Sequence, residues 1–135
     1  MLDVFRIDET NAAPVAEPAN FTGRVRMQRV SDEGGSEDFE IYVVYFDAGS
    51  RTRPHTHPGE QILVFVRGNG FVHLIGEDEQ RVPEGGIVVV PAGVLHMHGA
   101  LDGEPVTHVA TRASNGPTDW DPEVPPEWQQ YAKAE

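Results

Sequence analysis

The chain contains no cysteine. Disulfides, thiolate metal sites and cysteine nucleophiles are therefore excluded. Basic residues are scarce too: ten Lys and Arg stand against 22 Asp and Glu, a formal net charge of -12. Lys133 is the only lysine. That balance argues against a nucleic-acid binder or a binder of anionic membranes, since both need a basic face. No apolar run approaches the ~18 residues of a membrane span. The opening residues Met1 to Arg6 lack the charged-then-apolar layout of a signal peptide, so a cytoplasmic protein is expected. Aromatic residues make up only 8% of the chain. A sustained 3.6-residue apolar period is absent before residue 113, so long amphipathic helices are not expected.

What the chain does have is 135 residues, enough for one ordinary domain, with 14 glycines and 11 prolines. This composition suits many short strands joined by turns. Leu2, Val4 and Ile7 form a short apolar alternation, and Asn11 to Pro18 reads as an extended linker. Val25, Met27 and Arg29 share one side of a half-exposed strand over 24–30. Residues 39–47 (FEIYVVYFD) are β-branched and aromatic throughout, as in a buried strand. Residues 61–67 (QILVFVR), 71–75, 87–90 and 106–111 add further strands, with Gly68-Asn69-Gly70 as a turn. The pattern predicts an all-β antiparallel sandwich or barrel. The expected division is an arm over 1–22, a barrel over 23–112 and a tail over 113–135 that ends in a short helix near Glu127 to Lys133.

Histidine carries the chemistry. His55 and His57 lie at i and i+2, so in an extended segment both imidazoles point to one side. Gln61 heads the next strand, and His96 follows a strand that stops at Pro91-Ala92-Gly93. Together these four could hold a divalent cation such as Mn²⁺, Fe²⁺, Ni²⁺ or Zn²⁺. Alone, a His-x-His pair beside Pro-Gly turns more often marks exposed, hydrogen-bonded side chains.

The wider spacing is more specific. Gly49, then His55-Thr56-His57, Gln61 and Gly68 resembles the first motif of the cupin family, with Gln61 in place of the usual glutamate. Gly85, Pro91-Ala92-Gly93 and His96 resembles the second motif; its common closing asparagine is replaced by Ala100. The match covers about the middle third of the chain. The resemblance implies a single-domain jelly-roll β-barrel with one metal inside, held by His55, His57, Gln61 and His96. Glu60 is the rival carboxylate, but as a strand neighbour of Gln61 it points to the opposite face.

Narrower stretches (HTHPGEQILVFVRGNG, PAGVLHMHGA and THVA) are similar to a subgroup of small bacterial cupins. That subgroup includes manganese-dependent hydroxynitrile lyases and proteins associated with carboxymuconolactone decarboxylases. The likeness implies three His and one Gln as ligands, and it matches a family histidine to His108.

A neutral Gln ligand would leave the ion's charge uncancelled, strengthen it as a Lewis acid and disfavour the +3 state. Non-redox lyase, isomerase or cyclase chemistry on a small organic molecule is the first expectation. The alternatives are an Fe-dependent dioxygenase and a non-catalytic metal-containing binding protein. His108 is the candidate proton shuttle, with a packed core histidine as the equal alternative. His98 shares a side with His96 and is read as a pocket or rim residue. His73 is expected to pack or face solvent.

Tyr42, Val44 and Phe46 form one face of the 39–47 strand, while Ile41, Val43 and Tyr45 form the other. The first set is the candidate pocket lining; periodicity alone does not choose between the two. Trp120, Trp128 and Tyr131 are candidates for surface packing, for capping the barrel mouth or for packing on a second subunit. Apolar Leu2 and Val4 and the doubly apolar strand suggest a homodimer. Between Gly49 and Gly99 the acids Glu60, Glu77, Asp78, Glu79 and Glu84 are almost balanced by Arg51, Arg53, Arg67 and Arg81. The acidity therefore lies on the flanking segments, where it favours solubility.

Overall fold

The computed structural model describes residues 2–34 and 36–133. Eleven strands follow in order: β1 (Ala13–Pro14), β2 (Phe21–Thr22), β3 (Val25–Arg29), β4 (Phe39–Phe46), β5 (Arg51–Thr52), β6 (Gln61–Arg67), β7 (Gly70–Leu74), β8 (Gln80–Val82), β9 (Ile87–Val90), β10 (His96–Ala100) and β11 (Val106–Ala113). They form two antiparallel sheets, one of order β1-β3-β4-β11-β6-β9 and one of order β2-β5-β10-β7-β8. This is a mostly-β jelly-roll sandwich, as expected. Helical structure among the described residues is confined to short 3-10 turns, the longest being Pro126–Tyr131.

Alternation decides which side chains face inward. In the centre of the six-stranded sheet, β11 pairs with β4 on one side and β6 on the other. Phe46, Phe65, Leu63 and Val106 are almost wholly buried between the sheets. Tyr42 and Val44 share the inward face of Phe46, whereas Ile41, Val43 and Tyr45 belong to a separate outer cluster. This resolves the ambiguity of the 39–47 strand. The inner face of β11 continues through His108, Ala110 and Arg112 (the even positions).

The linker expected over Asn11 to Pro18 is structured. Ala13 and Pro14 pair with Met27 and Arg26 at the sheet edge. An edge strand tolerates proline because its N–H is not needed by a neighbour. The tail folds back as well. Trp128 is 3% exposed and packs with Phe71, Leu95 and Met97 on the outside of the five-stranded sheet. Arg51 lies between the rings of Phe71 and Tyr131, 4.3 and 4.9 Å from their centroids. His73 packs against Trp128 and hydrogen-bonds the Glu77 carbonyl, away from the interior histidines.

Two glycines of the motif region meet physical demands. Gly68 turns between β6 and β7 at φ 76°, and a Cβ there would collide with the Pro105 carbonyl oxygen. At Gly99 a Cβ would lie 2.5 Å from Ser50 O and 2.7 Å from Arg51 Cα, so β5 and β10 approach closely only without a side chain.

Candidate metal centre

Five of the six histidines meet inside the sandwich. His55 and His57 sit on the segment between β5 and β6. That segment is pinned by reciprocal backbone bonds between His55 and His96, both 3.1 Å, and by Gly93 N donating to His57 O at 2.8 Å. His96 and His98 point inward from β10, and His108 points inward from β11 opposite Val44 and Phe65. Ring centroids of His55 and His96 are 4.2 Å apart, and those of His57 and His96 are 5.2 Å apart. Gln61 is buried at the start of β6, while Glu60 is exposed. The structure thus gathers His55, His57, Gln61 and His96, with His98 and His108 beside them.

The hydrogen bonds fix which nitrogens face inward. His55 Nδ1 lies 2.8 Å from the Arg53 carbonyl, and His96 Nδ1 lies 2.9 Å from the Val94 carbonyl. A carbonyl only accepts, so each Nδ1 carries the proton and each Nε2 is left with its lone pair. His57 Nδ1 lies 3.0 Å from the Thr118 hydroxyl, and His57 Nε2 is buried with no partner among the described residues. His98 Nδ1 lies 3.0 Å from His108 Nε2, and His98 Nε2 is likewise buried and unpartnered. Unsatisfied buried nitrogens of this kind are rare and call for a ligand.

Burial also keeps these rings neutral. Desolvation is the largest cause at every one, with the other histidines adding repulsion at His55, His57 and His98. His57, His96 and His108 are pushed down to about 4, and His55 and His98 lie well below the ordinary histidine value. A metal binds the neutral form of imidazole, so the set is poised for it. The ligand atoms of His55, His96 and His98 all lie within 4.8 Å of one another. A buried three-histidine group able to bind a metal ion is therefore present.

The cluster opens onto a cavity of about 260 Å³ that His55, His57, Gln61, His98 and His108 help to line. Tyr42, Val44 and Phe46 line one wall, together with Met27 and Ala110. Val15 and Phe21 lacked any local signal in the sequence, whereas Trp120 is one of the aromatics expected as candidates for the barrel mouth. Val15 and Phe21 come from the arm before β3, and Trp120 comes from the tail. Trp120 stacks on His55 at 4.2 Å between centroids, with planes 25° apart, and packs against Phe21. Its segment is held by paired backbone bonds between Thr56 and Asp119. Arg112 also lines the cavity, although it is buried.

Comparison with known families is decisive at this point. A family profile described as a cupin domain matches residues 42–111. The chain belongs to the cupin family. Among curated proteins, this cupin is 31% identical over 102 residues to an (R)-mandelonitrile lyase from Granulicella tundricola, covering 74% of this chain and 78% of that protein. Among solved structures, it superposes on a cupin-like protein from Thermotoga maritima with a TM-score of 0.76 at 31% identity, over 98% of this chain and 99% of that one. A polyketide cyclase from Streptomyces resistomycificus shares the fold, with a TM-score of 0.75 at 16% identity over 97% of this chain and 100% of that one.

Proposed function

We propose that this cupin is a metal-dependent enzyme that carries out non-redox chemistry, of the lyase, isomerase or cyclase type, on a small organic molecule. One observation carries the ligand assignment. His96 Nε2 and Gln61 Oε1 lie 3.3 Å apart, and the His96 proton is already committed to Val94 on the other nitrogen. Two lone pairs thus face each other across a gap that a cation suits. Two ligands each ~2.1 Å from one ion, at roughly a right angle, would be about 3 Å apart. Gln61 also lies against His57. The set is therefore His55, His57, Gln61 and His96, around one divalent Mn, Fe, Ni or Zn ion. His98, the third member of the compact histidine group, holds His108 through Nδ1 and turns its unpartnered Nε2 toward that group.

Bound there, the ion would supply Lewis-acid polarisation of a substrate oxygen, undiminished by any carboxylate in the ligand set. The protein residues supply the rest. Phe46 and Phe65 flank the His108 ring at 5.1 and 5.2 Å between centroids and keep water from it. His98 fixes its orientation. When His108 Nε2 donates to His98, the unpartnered Nδ1 keeps a lone pair that can take a proton from a substrate hydroxyl and return it to a leaving group. Tyr42, Val44, Met27 and Trp120 enclose an apolar substrate body. The mandelonitrile lyase relative makes cleavage of mandelonitrile to benzaldehyde and cyanide the first reaction to assay.

The test is metal content and turnover of the wild type, His96→Ala and Gln61→Ala. Loss of metal and turnover together supports the assignment; full metal retention in both variants refutes it. Gln61→Glu adds the charge arm: lyase turnover should fall as the carboxylate cancels one unit of the ion's charge. Oxygen uptake by the Fe²⁺ form without lyase turnover would favour the dioxygenase alternative.

We also propose a homodimer. On the outside of the six-stranded sheet, Ile62 pairs with Val89 and Val64 with Ile87. Ile62, Ile87 and Val89 are 42%, 69% and 53% exposed, which makes an uncharged patch on an acidic chain. A second copy is the occupant that charge favours, because this face is free of the repulsion carried by the acidic flanks.

A further inference from the structure

A further polar group lines the cavity beside the proposed metal set, and neither that set nor His108 uses it. Across the six-stranded sheet, Glu40, Arg112 and Gln61 stand in one row: Arg112 is the registered partner of Glu40 on β4 and of Gln61 on β6. Directly opposed residues share a face, with Cβ atoms about 5 Å apart. Arg112 therefore sits beside a proposed metal ligand, on the interior side. Its guanidinium is buried and lines the cavity.

A buried arginine is expensive to desolvate, and an apolar residue of similar volume usually serves packing as well or better. This one is held rigidly. Nη2 binds the Glu40 carboxylate and also donates to Gly116 O at 2.8 Å, and Nη1 donates to Ala113 O at 3.2 Å. Glu40 is itself anchored, because its other oxygen accepts from the Tyr42 hydroxyl at 2.9 Å. Three of the five guanidinium N–H bonds are thereby committed, and two are left for another acceptor. Of the other charged groups of the lining, Glu17 is exposed, and Arg29 is half-buried, lies over the Tyr42 ring at 5.9 Å and pairs with Asp32 at 3.6 Å. The positive charge of Arg112 reaches the metal end, where it contributes to the lowered affinity of His55 and His57 for protons.

We propose that Arg112, clamped by Glu40, is a specificity-determining residue that receives an anionic oxygen of the substrate. The substrate class is then a small oxyanion, foremost a carboxylate, with an apolar or aromatic body and a second oxygen directed to the histidine end. This deepens the metal-enzyme reading and rests on it for the metal end. The chemistry is coherent. The inner donor set is neutral, so a bound divalent ion and Arg112 together leave the cavity positive even after Glu40 is counted. Tyr42 and Trp120 supply apolar wall in the same cavity.

The test is calorimetric titration of two probes that differ in charge but hardly in shape, mandelate and mandelamide. It is run on the Mn²⁺-loaded and metal-free wild type, Arg112→Gln and Glu40→Gln. Mandelate should bind the wild type roughly tenfold or more tightly than mandelamide, as a charge-assisted contact to a buried guanidinium would give. Arg112→Gln should abolish that preference by weakening mandelate and leaving mandelamide unchanged. Glu40→Gln should strengthen mandelate several-fold by removing the competing carboxylate; it also serves if the arginine variant does not fold. An undiminished preference in Arg112→Gln, an unchanged one in Glu40→Gln, or no preference in any form overturns the proposal. An Arg112-dependent preference that persists without metal, while added Mn²⁺ changes neither affinity, upholds this inference and counts against the metal reading alone.

Discussion

His98 Nδ1 and His108 Nε2 lie 3.0 Å apart in the interior, and neither ring has another side-chain hydrogen bond among the described residues. One proton lies between them, since two bare nitrogens at that distance would repel. The ring that carries it sets the state of the other. If His108 donates, its Nε2 is occupied; if His98 donates, His108 Nε2 accepts and its proton sits on Nδ1. The pair is thus a two-tautomer unit at the wall of the cavity.

His108→Ala should retain full metal content, because the ring lies outside the proposed ligand set. Turnover of mandelonitrile should fall by at least ~100-fold, the usual worth of a positioned proton carrier. His98→Phe should lower kcat and shift its pH profile while leaving KM nearly unchanged. Steady-state kinetics with metal analysis checks both. Wild-type kcat in His108→Ala would reduce His108 to a packing residue.

Thr118 acts on the metal centre from the tail. Its hydroxyl is the only partner of His57 Nδ1 among the described hydrogen bonds. Thr118→Val keeps the shape and removes the oxygen. Metal affinity should drop roughly 10- to 100-fold, as when other outer partners of histidine ligands are removed. Competition with a chelator measures it. Trp120, stacked on His55, should change its fluorescence on metal binding in both proteins.

The buried imidazoles make a definite pH prediction for the metal-free protein. Folding lowers the histidine values from 6.5 to about 4 at His57, His96 and His108, so between those limits the unfolded chain binds more protons than the folded one. Stability is therefore fully present above pH 6.5 and falls as the pH drops toward 4. Each such ring contributes at most ~1.4 kcal/mol per pH unit across that window. Urea midpoints measured from pH 7.5 to 4.5 should decline steeply below 6.5. A flat profile would show that the rings are not held neutral.

The exposed patch on the six-stranded sheet is tested by charge. Ile62→Lys with Val89→Lys should convert a dimer to a monomer in sedimentation equilibrium, with the same circular dichroism spectrum. A wild type that is already monomeric at high protein concentration would remove the proposal.

Much of this architecture was legible in the sequence, for reasons that differ by element. β4, β6 and β9 announce themselves through β-branched runs bounded by Gly and Pro. The gathering of His55, His57 and His96 was legible from spacing, because the glycines and prolines around them set the turns. β1 was hidden by Pro14, which reads as a breaker although an edge position tolerates it. β8 was hidden because it is only three residues long and starts at the end of the acidic run 77–80. Arg112 was hidden because a charge near a strand end reads as solvated. Its only local hint is that it shares a face with His108, four residues earlier. Thr118 left no trace at all, and Trp120 only that of a tail aromatic, one candidate for the barrel mouth. Their roles come from a backbone bridge to Thr56, which no local pattern encodes.

That bridge bears on the order in which the site is built. The proposed ligands all lie between His55 and His96, and the mouth is closed by Phe21 from one flank and Trp120 from the other, 5.6 Å between ring centroids. Synthesis runs from the N-terminus, so every proposed ligand is made before Thr118 and Trp120. One half of the rim, Phe21, precedes the ligands, and the other half, Trp120, follows them. The tail then sets Thr118 beside His57 and the indole over His55, so the site is finished by residues made after all of its ligands.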